Sequence, residues 1–228
     1  MISLLTENGF FPIFLTLTAF EAGRALQMKF KKPLLNPILV GALLTGAVLL
    51  ILGIPVDTYQ AGCAPLQYLL TPATICYALS LYEQIGALKR HLGAIIAGVL
   101  CGSLASLLSI RAMAAMFSLE DVLLISLLPK SITTAIGMVL SEEAGGIAAL
   151  TTAAIIVTGI LGNAFGEHLC RLLHITHPIA KGVAFGTASH AVGTSKANEI
   201  SELTGAVSSL SLTLAGLITV VLFSFVLP

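Results

Sequence analysis

The chain has 228 residues, 57% hydrophobic and 10% charged, with a formal net charge of zero and a mean hydropathy of +1.00. Soluble domains carry about 25% charged residues, so the composition excludes an ordinary soluble globule. The lack of a basic tail argues against nucleic acid as a partner.

Five runs carry no charged side chain: residues 33–56, 62–82, 92–110, 144–166 and 203–228. A spanning helix needs about 20 mostly apolar residues, and continuous rather than alternating runs argue against a porin-like barrel. The expectation is an all-α polytopic membrane protein, a single integral domain over 1–228. It has about 6–8 transmembrane helices, including interrupted or re-entrant segments.

In chain order, a first helix is expected over roughly 4–28. Glu21 and Arg24 lie three residues apart on one face, placed to pair. The segment lacks the basic start and small-residue cleavage site of a signal peptide, so it is expected to stay as a helix. Pro33-Leu34-Leu35-Asn36-Pro37 opens a second helix that ends near Gly53-Ile54-Pro55. Asn36 suits an N-cap; the competing role is lining a cavity. Residues 63–84 form a segment broken at Thr71-Pro72, and a further helix covers 92–117. Arg24, Lys29, Lys31, Lys32, Lys89 and Arg90 fall in two links, which places those links in the cytoplasm and the N-terminus outside. Tyr82 and Glu83 read as an interfacial anchor.

Beyond residue 118 two topologies compete. Residues 121–141 are short and interrupted at Pro129-Lys130. Read as a re-entrant hairpin they leave Arg171 and Lys181 inside, which fits the charge rule better than a full crossing. Residues 144–166 and 203–228 are spans. Residues 178–196 are too polar for a lipid-facing span and too apolar for a loop. Gly98-x-x-x-Gly102 and Gly162-x-x-x-Gly166 mark close helix contacts. Pro72 to Leu79 faintly echoes Pro129 to Ile136, the kind of internal repeat with matching breaks that transporters carry. The four cysteines lack a CxxC and read as packing residues. His168, Cys170, His174 and His177 read as a juxtamembrane loop, with no metal or other cofactor expected.

Two polar interruptions carry the chemistry. In Leu128-Pro129-Lys130-Ser131-Ile132-Thr133-Thr134, Pro starts or kinks a helix. The free N–H groups there, Lys130 and the hydroxyls of Ser131, Thr133 and Thr134 together suit a small carboxylate. The plainer reading is a Pro kink with a snorkelling lysine. In Gly186-Thr187-Ala188-Ser189-His190-Ala191-Val192-Gly193-Thr194, glycines permit unusual backbone angles, and Thr187, Ser189 and Thr194 offer hydroxyls. His190 is a candidate proton carrier, against the plainer reading of a hydrogen-bonded packing residue. Lys196 and Glu199 are placed to cap or pair. Ser189-His190 lacks an acidic orienter, so hydrolytic catalysis is poorly supported and no enzyme is expected.

With these motifs the chain resembles the LrgB/CidB family, whose small bacterial inner-membrane members include the YohK-like proteins. The matches are Pro33-Leu34-Leu35-Asn36-Pro37, Leu81-Tyr82-Glu83-Gln84, Leu128-Pro129-Lys130-Ser131, Gly159-Ile160-Leu161-Gly162 and Gly186 to Thr194. One position departs: the family often has Pro after the paired threonines, and here it is Ala135. The resemblance implies two functions. One is an antiholin- or holin-associated regulator of murein hydrolase activity and autolysis, working with an LrgA/CidA-like partner. The other, from plastid relatives that move glycolate and glycerate and bacterial relatives linked to pyruvate, is a carboxylate transporter. The polar interruptions favour the transporter, as a homodimer in the bacterial inner membrane. It would hold a small monocarboxylate at Lys130, Ser131, Thr133 and Thr134, with Thr187, Ser189 and Thr194 on its other oxygens. The interrupted segments would move against a scaffold that includes the first two helices.

Overall fold

The computed structural model describes residues 10–30, 35, 37–69, 72, 75 and 82–227. Among them are helices and no strands. The chain divides into two compact units, Met1–Cys76 and Tyr77–Pro228.

In the first unit, α1 (Phe10–Phe30) and α2 (Pro37–Leu52) pack antiparallel. Gly23 lies on Pro37 and Val40, Gly41 on Phe20, and Leu15 on the Leu49–Ile54 cluster. Glu21 and Arg24 pair at 2.9 Å, as their spacing predicts. Short helices α3 (Val56–Gly62) and α4 (Ala64–Tyr68) follow. The Tyr59 hydroxyl meets Thr16 Oγ1 at 2.6 Å. Asn36 and most of the segment over 70–81, including the Pro72 echo, lie outside the described residues.

The second unit holds α5 (Ile85–Phe117), α6 (Asp121–Leu127), α7 (Thr134–Glu143), α8 (Ala148–Leu172), α9 (Pro178–Ile200) and α10 (Glu202–Val226). Among the described residues, α5, α8 and α10 are long and apolar enough to cross a membrane. Helix α5 starts seven residues earlier than the uncharged run. Lys89, Arg90 and His91 continue it because lysine and arginine are good helix formers and need leave only the hydrocarbon, not the helix.

The unit buries many hydroxyls among its apolar core and exposes large apolar side chains. Ser126, Ser141, Thr151, Thr194, Thr204, Ser208 and Ser211 are fully buried, while Leu108, Met116, Phe117, Leu161, Leu217 and Phe225 are exposed. In water that arrangement would be unstable. In lipid it is the expected one, since hydrocarbon accepts the exposed side chains and internal partners must satisfy the polar ones.

Helices α6 and α7 form a hairpin. Neither approaches the length of a span, and Gly137 on α7 lies against the Pro129 carbonyl while Gly146, just past α7, lies against Ile125 and Ser126. Ser126 Oγ accepts from Ile147 N at 2.8 Å and ties the first arm to the start of α8. The Pro129-Lys130 interruption is its tip.

Segment α9 is a second hairpin. Its backbone leaves helical geometry at Ser189 (φ −135°) and His190 (φ +42°). In a straight helix residues eight apart are about 12 Å apart, yet a β-carbon at Gly193 would lie 2.9 Å from the Phe185 carbonyl oxygen. Gly182 and Gly205's neighbour Asn198, from opposite arms, both meet the start of α10, and Gly186 and Thr194 both meet Ser208. The chain therefore turns back at Ser189-His190.

Candidate functional site

The two hairpins approach α5 from opposite ends. Leu124 and Ile125 of the first pack with Ile110 and Ala114 near the end of α5, together with Phe223 and Val226 of α10. Ile179 of the second packs with Leu88, Ile95 and Val99 near its start, together with Val207 of α10. Their tips converge at mid-helix, where Ser131 meets Ser106 at 2.9 Å and Thr187 lies on Gly102.

Small residues on α5 permit the approach. A β-carbon at Gly98 would come within 3.0 Å of Val183, and one at Gly102 within 2.8 Å of the Thr187 methyl. Gly162 and Gly166 of α8 give the same room to Ser189 and Phe185. Both Gly-x-x-x-Gly pairs are thus contacts within one protomer, made with the arms of the second hairpin.

Between the tips is a small cavity lined by Ser103, Ser106, Leu107, Leu128, Ser131, Ile132, Thr187 and Thr219. It has room for about one water molecule. Lys130 Nζ donates to Ser131 Oγ at 3.2 Å, which brings an ammonium to the cavity's hydroxyl side. Ser103 Oγ and Thr187 Oγ1 are buried with no partner among the described residues. Ser209 Oγ and Ser211 Oγ are likewise buried without a partner among the described residues, but only Ser103 and Thr187 of the four line the cavity; leaving a buried hydroxyl unsatisfied costs about 1–3 kcal/mol.

Of the residues singled out in the sequence, Ser131 and Thr187 line this cavity and Lys130 adjoins it. Thr133 caps α7 from an extended conformation, and its carbonyl accepts from Ile136 and Gly137 N–H. Thr134 begins that helix, which runs unbroken through Ala135. Ser189, His190 and Thr194 instead hold the second tip together. Ser189 packs on Gly162 and Gly193. His190 Nε2 lies 2.9 Å from the Ile155 carbonyl, which only accepts, so this nitrogen carries the proton. Thr194 Oγ1 donates to the His190 carbonyl at 2.9 Å and meets Ser208 Oγ at 2.8 Å. At the hairpin's other end Lys196 pairs with Glu199 at 2.8 Å and with Glu167 of α8 at 3.6 Å.

Ser103, Ser106, Thr219 and Asn163 were not singled out in the sequence. Asn163 Nδ2 donates to the Val192 carbonyl at 2.9 Å, tying α8 to the broken segment. A lone amide in a span is a recognised sign of an internal polar site and could have drawn attention to Asn163. The serines have no comparable signal beyond an i,i+3 spacing. Among the described residues no group of three His, Cys, Asp or Glu comes together as a metal site.

The family model described as the LrgB-like family matches residues 16–228. The protein named "Uncharacterized protein YwbG" from Bacillus subtilis (strain 168) is 35% identical over 219 residues, covering 96% of this chain and 97% of that protein. Proteins named "Antiholin-like protein LrgB" from Bacillus mycoides (strain KBAB4) and Bacillus cereus (strain B4264) are each 34% identical over 224 residues, covering 98% of this chain and 97% of theirs. No solved structure matches the chain.

Proposed function

The chain belongs to the LrgB-like family, and from that premise we propose that it is a multi-pass inner-membrane carrier of small monocarboxylates such as pyruvate, glycolate or glycerate. The observation behind this reading is the convergence of two hairpin tips on one hydroxyl-lined cavity beside Lys130. A hole-former has no need of such a place. A carrier needs a site near mid-membrane that broken segments can open to either side.

Lys130 supplies the charge that holds a carboxylate, and Ser131 and Ser106 supply donors. Thr133 and Thr134 place the positive end of α7 at the same tip. The two hairpins resemble each other in construction. Each follows a long helix and a residue in the left-handed region, Ser118 (φ 49°) before the first and His174 (φ 55°) before the second. Their starts (Asp121, Pro178), return arms (Thr134, Ala191) and ends (Glu143, Ile200) are offset by one common spacing, 57 positions in each case. Pro72 and Pro129 have that same spacing. Because α5 and α8 run in opposite directions, this supports an inverted repeat, with each hairpin gating one side.

His190 is the proposed proton carrier. Its Nε2–H bond to Ile155 survives protonation at Nδ1, so the tip stays held in either charge state. The working form is proposed to be a homodimer, alone or with an LrgA/CidA-like partner.

A second reading is an antiholin-like regulator of murein hydrolase activity with no transported substrate. The antiholin-like names of the Bacillus relatives favour it more directly than they favour transport. Counterflow of labelled pyruvate and glycolate into proteoliposomes separates the two. The carrier reading expects saturable exchange that Lys130→Ala abolishes. A folded protein with no flux, with and without an LrgA-like partner, overturns it in favour of the regulator.

A further inference from the structure

We infer that Ser103 and Thr187 form a subsite for an oxygen on the second carbon of the acid, so that the cavity selects 2-oxo and 2-hydroxy monocarboxylates over acids that lack that oxygen. The inference rests on the carboxylate-carrier reading.

Four observations carry it. First, Ser103 and Thr187 line the cavity at only 3% and 6% exposure, and their hydroxyls lack partners among the described residues. Second, Thr187 is held by its methyl. Cγ2 occupies the space over Gly102 that a β-carbon would enter, which leaves Oγ1 to the cavity. Third, the other hydroxyls at the first tip are engaged. Ser131 meets Ser106 at 2.9 Å and accepts from Lys130 at 3.2 Å, so the charged end of an acid belongs there and the idle pair is left for a second oxygen. Fourth, the remaining wall includes Leu107, Leu128 and Ile132 and brings no second cation, which suits a short acid with a single carboxylate.

The chemistry accommodates both ligand classes. A keto oxygen accepts from both hydroxyls. A ligand hydroxyl accepts from one and donates to the other. A methylene does neither and leaves both unsatisfied. Sites built to hydrogen-bond a substrate oxygen reject analogues without it far more strongly than apolar pockets reject a methylene.

The test is competition against labelled glycolate on the purified full chain in nanodiscs, with pyruvate and lactate set against acetate and propionate. The wild-type protein is expected to prefer the oxygenated acids by about tenfold or more. Ser103→Ala and Thr187→Val are expected to bring that ratio close to one by weakening the oxygenated acids and leaving acetate unchanged. Thr187→Ser, which keeps the hydroxyl, is expected to retain most of the preference, and melting temperature and elution profile report folding for each variant. Acetate and glycolate binding equally to wild type, or an unchanged ratio in both folded hydroxyl-deleted variants, overturns the subsite and leaves the carrier reading standing. No binding of any monocarboxylate overturns both.

Discussion

Ser106 on α5 and Ser131 at the tip of the first hairpin share a hydrogen bond of 2.9 Å, and Lys130 donates to the same Ser131 oxygen. That chain of three polar groups is where a charged loop is anchored to a spanning helix. The cavity it borders has room for about one water, so the proposed carriage of a three-carbon acid requires the first tip to move away from α5.

Removing the shared hydroxyl separates anchoring from anion binding. Ser131→Ala is expected to cost roughly 1 kcal/mol of stability, visible as a small drop in melting temperature. Its effect on exchange should be larger, because the ammonium of Lys130 loses the group that positions it. Melting curves and initial rates on one preparation test both.

Gly162 packs against Ser189 so closely that a β-carbon has no room, and a β-carbon at Gly159 would sit 2.6 Å from the His190 ring. Gly162→Ala is therefore expected to destabilise by about 1–3 kcal/mol and to loosen the second tip. Gly93→Ala, on the same kind of helix with open space around it, is expected to be neutral or to stabilise by up to about 1 kcal/mol. Circular-dichroism melts in one detergent compare them.

His190→Gln offers an amide N–H for the Ile155 carbonyl but cannot take up a proton near neutral pH. Under the proposed proton coupling, the variant should still exchange substrate at equal pH on both sides. Its net uptake should no longer respond to an imposed pH gradient. A full response in a folded variant would remove His190 from the proton path.

The ion pairs at the base of the second hairpin are partly exposed. Lys196 bridges Glu199 and Glu167 with about a quarter of its side chain accessible. Lys196→Met is expected to change stability by less than about 1 kcal/mol, and by less still at high salt, as melts at two ionic strengths will report.

Much of this architecture is legible in the sequence. Pro129 and Lys130 break an apolar run where a plain helix would be needed, and the chain turns back there. The break at Gly186 to Thr194 is equally visible, but not the reversal there. Ala188 and Ala191, on either side of Ser189-His190, are good helix formers, and one residue at positive φ between them redirects the chain. The cavity was half legible. Lys130, Ser131 and Thr187 carry local signals, whereas Ser103, Ser106 and Thr219 are small hydroxyls within long apolar helices, a common way to pack helices. They become part of a site only when two hairpin tips are brought to their level. His190 and Thr194 hydrogen-bond to Ile155, to Ser208 and to the tip's own backbone, and Ser189 packs on Gly162 and Gly193, contacts that no local signal in the sequence announces.

The most direct test of the account is a reversible tether between the residues that close the cavity. Ser106→Cys and Ser131→Cys, in a background with Cys63, Cys76, Cys101 and Cys170 replaced, place two thiols where the hydroxyls now meet. Counterflow is measured on the reduced protein, after oxidation, and after reduction again. The account predicts exchange in the reduced states and its loss in the oxidised one, because the first tip must part from α5 for an acid to enter. Exchange that continues undiminished in fully cross-linked protein would contradict it.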